Sequence, residues 1–299
     1  MLARRIAAAA VPAAVLTSAA GCSAGPVAVT PGVVRVVAAE NVWGDIARQV
    51  GGSHVEVTSI VNDPNVDPHT YQSDPRDAAA ISNAQLVIEN GLGYDDFVDD
   101  VLATGGRSGR HVLTVSKAMH VTASDANPHL WYLTSRLSLA AQAIAEQLRT
   151  IDPADAESFT SGAADFIAAL KPLRATIASI NAGYAGTKIA YTERVPGYLV
   201  QAAGLVLGTP ASFSQAIEDG NDPSPQDAAA FSYDLIHHVV KVLIYNSQVV
   251  DVQTQRIKQT AERAHVPVVG MSETLPARYP TFQAWQLAQD RALLRALGG

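Results

Sequence analysis

The feature that most restricts the fold is an alternation of short, β-branched runs with helical stretches. The runs 33-VVRVVAA-39, 55-VEVTSIV-61 and 85-QLVIEN-90 are separated by helical patterns near 41–51, 75–83 and 94–104. Apolar strands that alternate with helices predict a parallel sheet covered on both faces. The same alternation returns late, in 187-TKIAYT-192, 240-VKVLIYN-246 and 266-VPVVGM-271. Between the two sets, from about Thr134 to Asn181, no strand pattern occurs.

That middle segment reads as helix. Asp152-Pro153 is an N-cap followed by proline in the first turn. Beyond it, Phe166, Leu170, Leu173, Ile177 and Ile180 recur at spacings of 4, 3, 4 and 3, on one helical face. Gly183 suits the C-terminal end, and Pro172 predicts a kink or a split. The expectation is an α/β chain of two lobes with mainly parallel sheets, joined by a long rigid helix. Its parts are an N-terminal lobe over 33–150, the linking helix over 151–184 and a C-terminal lobe over 185–299. A helical connection of this kind is stiff and restricts hinge motion.

The N-terminus reads as an address. Arg4 and Arg5 precede the apolar run 6-IAAAAVPAAVLTSAAG-21, which is too short to cross a bilayer core of about 30 Å comfortably and fits a secretory signal. It ends at 18-SAAGC-22, with the only cysteine in the chain. Small residues before a lone cysteine resemble the bacterial lipoprotein signal, although Ala19 stands where that pattern prefers Leu. This implies a signal peptide over 1–21, lipidation of Cys22 and a small-residue tether over 22–32. The expected location is the extracytoplasmic face of the cell membrane, held by a lipid anchor. Removing residues 1–21 takes away two arginines, so the net charge of −7 becomes −9. An acidic chain without a basic face argues against nucleic-acid binding. A monomer is expected.

Two of the eight histidines stand apart because their contexts rhyme: 67-DPHTY-71 and 127-NPHLW-131. In each, Asp or Asn and then Pro precede the histidine, and a large aromatic follows two residues later. Proline stiffens the approach to the ring, which suits a metal ligand held about 2.0–2.2 Å from a divalent ion. Asp67 reads as a loop group beside the ligands. Two carboxylates strengthen the case by position. Glu193 follows the strand 187–192, and Glu273 follows the strand 266–271. In parallel α/β sheets, ligands gather beyond the carboxyl ends of strands. His54, His111, His120, His237, His238 and His265 have ordinary turn or surface readings. A strand-end glutamate taken singly is more often a helix-start charge or a surface ion pair.

In order and context these residues resemble the metal-binding lipoproteins of bacterial manganese- and zinc-type ABC importers, solute-binding protein family 9. The likeness runs from 34-VRVVAAENVWGDIARQVGG-52 through 67-DPHTYQSDPRDAAAISNAQLVIENGLGYDDF-97 and 127-NPHLWYLTSR-136 into the second lobe. It implies the cluster A-I type fold, with one metal ion held by four side chains between the lobes. Those side chains match His69, His129, Glu193 and Glu273; the family usually has Asp at the last position. The resemblance further implies that no bond is broken: the chain captures Mn²⁺ or Zn²⁺ (Fe²⁺ also fits) and delivers it to a membrane permease. Glu193, and the lack of a His- and acid-rich loop between the first two histidines, lean towards manganese. Two alternatives stay open, a surface binder of an organic ligand or host molecule and a metallohydrolase. The second lacks a His-Glu-x-x-His helix and has no carboxylate to spare as general base.

Overall fold

Strand β1 (Val34–Glu40) lies inside the first sheet, and only Arg35 of its seven residues is not fully buried. It pairs in parallel with β2 (Val55–Val61) and β3 (Leu86–Glu89), and β3 pairs with β4 (His111–Thr114), giving the order β2-β1-β3-β4. The register sets Val36 opposite Val57 on one side and Leu86 on the other, so β-branched and aliphatic side chains stack in rows. The computed structural model describes residues 32–299, apart from 65, 67, 105–108 and 124–125. The signal segment 1–21, Cys22, residues 22–31 of the tether and Asp67 therefore lie outside the described residues.

The helices of this half are α1 (Asn41–Gly51), α2 (Pro75–Asn83), α3 (Asp96–Thr104) and the single turn α4 (Val115–Ala118). The second half repeats the plan. Strands β5 (Lys188–Tyr191), β6 (Val206–Leu207), β7 (Leu243–Asn246) and β8 (Val268–Met271) form a parallel sheet in the order β6-β5-β7-β8. Helices α8 (Gly197–Ala202), α9 (Ala211–Glu218), α10 (Pro225–Ile236) and α11 (Val252–Arg263) connect these strands. In each sheet the chain first steps from the inner strand to one edge and then crosses back to build the other side. The resulting switch points, β1/β3 and β5/β7, open crevices beyond the carboxyl ends of the strands, where open α/β sheets bind ligands.

Three helices join the halves: α5 (Leu137–Ile151), α6 (Ala156–Ala169) and α7 (Lys171–Tyr184). The expected linking helix is interrupted at Leu170, and Pro172 falls in the first turn of α7, where its missing N–H breaks no helical bond. Helix α6 lies so close to α1 that a Cβ on Gly162 would sit 2.2 Å from the carbonyl oxygen of Val50. The last helix, α12 (Phe282–Leu297), packs on α7, α1 and β8.

One apolar core runs through both halves. Trp43 and Trp131 belong to the first, Phe166 and Ile177 to the connection, and Ile189 and Trp285 to the second. A shared core of this kind resists hinge opening, because separating the lobes would expose it to water. No helix among the described residues is long and apolar enough to cross a membrane.

Candidate metal centre

His69 sits in a single helical turn, Pro68–Thr70, in the loop after β2. The loop is docked by its neighbours. Tyr71 donates its hydroxyl to Asp77 Oδ2 at 2.7 Å, and that oxygen also accepts from Asp74 N at 2.8 Å. Asp74 caps α2 in return, so the aromatic two residues after His69 ties the histidine's loop to a helix start.

His129 is fully buried. Its Nδ1 lies 2.7 Å from Asn127 Oδ1, which also accepts from the His129 backbone N at 3.0 Å. Asn127 Nδ2 donates to Arg194 O at 2.6 Å, which fixes the amide orientation and makes Oδ1 the acceptor. His129 therefore carries its proton on Nδ1 and presents a lone pair at Nε2. The loop after β3 supports the histidine, with Asn90 Nδ2 donating to Pro128 O at 2.9 Å. Trp131 stands edge-on to the ring, with centroids 5.5 Å apart, as an apolar wall.

Glu273 follows β8 and is also fully buried. Groups from both halves of the chain pin its loop. Ser272 N donates to Gln289 Oε1 at 2.8 Å and Leu275 N to Asn41 Oδ1 at 2.8 Å, while Tyr132 donates to Ser272 O at 2.9 Å. Gln248 Oε1 accepts from both Glu273 N and Thr274 N. Glu193 follows β5 and is 1% exposed. The next residue, Arg194, makes a two-pronged ion pair with Glu218, at 2.9 and 2.8 Å.

The structure brings three of the four sequence candidates together. Nε2 of His69 and Nε2 of His129 lie 3.2 and 3.0 Å from the same oxygen, Glu273 Oε2. The ligand atoms of these residues lie within 4.8 Å of one another, and among the described residues no other such group forms. Atoms bonded to one ion at about 2.0–2.2 Å are themselves on the order of 3 Å apart, so the spacing fits a shared cation. With His129 protonated at Nδ1, its Nε2 lone pair faces a carboxylate oxygen, an arrangement that a cation between them satisfies. Glu193 is not one of these three. Asn246 links it to Glu273, with Nδ2 donating to Glu193 Oε2 at 2.8 Å and to Glu273 Oε1 at 2.7 Å.

Burial pushes the Glu273 carboxyl up, but His129 and His69, when they carry a second proton, outweigh it and hold the group well below the ordinary carboxylate range. A cleft of about 570 Å³, lined in part by His69, Tyr94, Pro128, Glu193 and Arg194, opens onto the site. His129 and Glu273 are fully buried and do not line it.

Three contributors were not legible as site residues. Tyr94 donates its hydroxyl to Glu273 Oε2 at 2.6 Å, Asn127 bonds His129, and Asn246 bonds Glu193 and Glu273. The available signal for Asn246 was a polar residue closing an apolar strand, 240-VKVLIYN-246. Other histidines have structural partners: His54 pairs with Asp155 at 2.7 Å, His111 bonds Gln147 at 2.9 Å and His237 stacks on Tyr233 at 4.0 Å.

Comparison with known proteins agrees with this architecture. The chain is 24% identical over 261 residues to the metal ABC transporter substrate-binding lipoprotein FimA of Streptococcus parasanguinis, covering 83% of this chain and 82% of that protein. It is 28% identical over 139 residues to the manganese-binding lipoprotein MntA of Bacillus subtilis, where the match spans 44% of this chain and 45% of that protein. The periplasmic zinc-binding protein TroA of Treponema pallidum shares the fold with a TM-score of 0.75 at 20% identity, over 90% of this chain and all of that one. The model of the zinc-uptake complex component A periplasmic family, ZnuA, matches residues 36–296, and the chain belongs to that family.

Proposed function

We propose that this protein captures one divalent transition metal ion outside the cytoplasm and passes it to the membrane permease of an ABC importer. His69, His129, Glu193 and Glu273 are the proposed ligands. The observation that carries the reading is the convergence of two imidazole nitrogens on Glu273 Oε2, at 3.2 and 3.0 Å, with the far nitrogen of His129 committed to Asn127. Imidazole and carboxylate ligands without thiolate accept manganese, ferrous iron or zinc. The relatives named manganese-binding and metal ABC transporter substrate-binding support this choice of cargo and partner. A lipid on Cys22 would keep the chain near the permease.

No covalent step is required. The two halves supply ligands from loops that a shared core already holds in place, so capture costs little reordering. Metal content of the purified protein, measured by mass spectrometry beside an assay for hydrolytic turnover, tests the reading. One equivalent of metal without turnover is expected. A protein that takes up no divalent metal under any condition would overturn it in favour of an organic ligand.

A further inference from the structure

Gln248 lies two residues past the end of β7 and is 7% exposed. Its side-chain oxygen, Oε1, accepts from Glu273 N at 2.5 Å and from Thr274 N at 2.8 Å. Two backbone donors on one oxygen fix the amide, so Nε2 is the end that gives protons. One goes to Thr274 Oγ1 at 2.8 Å and the other to Val66 O at 3.4 Å. Val66 stands three residues before His69, on the loop after β2. One buried amide therefore grips two loops, one beyond each sheet, that carry proposed ligands. The residue is itself held in place, with Gln248 N donating to Asn246 Oδ1 at 3.0 Å.

We propose that Gln248 is a positioning residue that fixes the spacing of the His69 loop against the Glu273 loop and so sets how long a captured ion is held. The inference rests on the metal-capture reading above. The bonds of Gln248 go to backbone and to Thr274, so it aims the ligands and does not bind the ion. Its grip on the two sides is unequal. Three bonds at 2.5 to 2.8 Å hold the Glu273 loop, whereas a longer bond, to Val66 O at 3.4 Å, holds the His69 loop. Burial is unequal as well: the Glu273 side chain is fully buried, and that of His69 is 17% exposed and lines the cleft. A loop already tied down loses less freedom when its ligand binds. Untying the His69 loop leaves Glu273 in place and frees the more exposed ligand to part from the ion.

The test compares the wild type with Gln248→Glu in two measurements. The glutamate keeps an oxygen for Glu273 N and Thr274 N but has no proton for Val66 O. In the metal-free protein, hydrogen exchange at the Val66 and Tyr71 amides should quicken, while exchange at Glu273 and Thr274 stays slow. In the zinc-loaded protein, loss of Zn²⁺ to a chelator should run about tenfold faster, with little change in the rate of uptake. The added carboxylate would by itself hold a cation longer, so the faster loss cannot come from its charge. Gln248→Ala, which also strips the acceptor from the Glu273 loop, should lose Zn²⁺ faster still. Exchange that quickens without faster metal loss would make Gln248 a structural residue only and overturn the proposal. So would unchanged metal loss in either folded variant. Fast exchange at the Glu273 and Thr274 amides of the wild type would overturn it whether or not the variants fold. A wild type that takes up no Zn²⁺ would sink the capture reading and this one with it, an outcome distinct from zinc bound and lost at an unchanged rate.

Discussion

Asn127 accepts the Nδ1 proton of His129 across 2.7 Å, and its own amide nitrogen reaches Arg194 O at 2.6 Å in the other half of the chain. One side chain thus sets the tautomer of a proposed ligand and ties it to the loop of Glu193. Residues that orient a metal-binding histidine in this way typically account for about 10–100-fold in affinity.

Replacing Asn127 by Ala should therefore weaken metal binding by about that factor while the protein stays folded. Competition against a chelating dye, with circular dichroism as the control, measures it. An unchanged affinity would remove the tautomer argument.

His69→Ala should weaken binding more than Asn127→Ala, because it deletes a ligand and not its support. The side chain of His69 is 17% exposed and lies in a loop, so the thermal midpoint of the metal-free protein should hardly move. Equal affinity in variant and wild type would take His69 out of the site.

The sequence placed His69, Glu193 and Glu273 at strand ends, and parallel-sheet topology makes strand ends the ligand-binding edge. His129 was readable through its rhyme with 67-DPHTY-71, yet the two motifs use their aromatics differently. Tyr71 anchors a loop through its hydroxyl, whereas Trp131 is buried and offers only ring surface. Asn246 could not be read, because its role depends on partners 53 and 27 residues away that only the β5-β7-β8 pairing brings together. A neutral amide also carries no ligand signature of its own. The helical character of the segment between the sheets was legible from its apolar spacing. Its partition into two helices at Leu170 follows from Pro172, which begins a helix well and continues one badly.

Acid should release the metal through the imidazoles before the carboxylate. Burial raises the Glu273 pKa, but the two histidines beside it, once protonated, bring it well below 4.5. A depressed acid contributes stability that is fully present above its ordinary pKa and lost only as pH falls through the lower, folded value. Imidazole coordinates only in its neutral form, so affinity should fall with acid and protons should be taken up as the ion is released, fewer in His69→Ala than in the wild type. A flat affinity between about pH 7 and 5.5 would contradict this assignment.

Asp290, on α12, is 1% exposed, and among the described residues neither of its oxygens has a hydrogen-bond partner. Burial pushes its carboxyl up to about 8 from an ordinary 3.8. A raised acid opposes folding: the cost begins as pH rises past 3.8 and is complete above about 8. Asp290→Asn should stabilise the metal-free protein, with the gain growing by up to about 1.4 kcal/mol per pH unit across that window. Urea unfolding at pH 5 and pH 8 reads the difference. The same gain at both values would show that Asp290 does not titrate as its burial implies.

Calorimetric titration of the metal-free protein with Zn²⁺, repeated with Mn²⁺ and Fe²⁺, tests the central claim most directly. The geometry predicts saturation at one ion per chain, with binding weakened when Glu273 is replaced by Ala. No saturable binding of any of the three ions, or binding that survives Glu273→Ala unchanged, would contradict it.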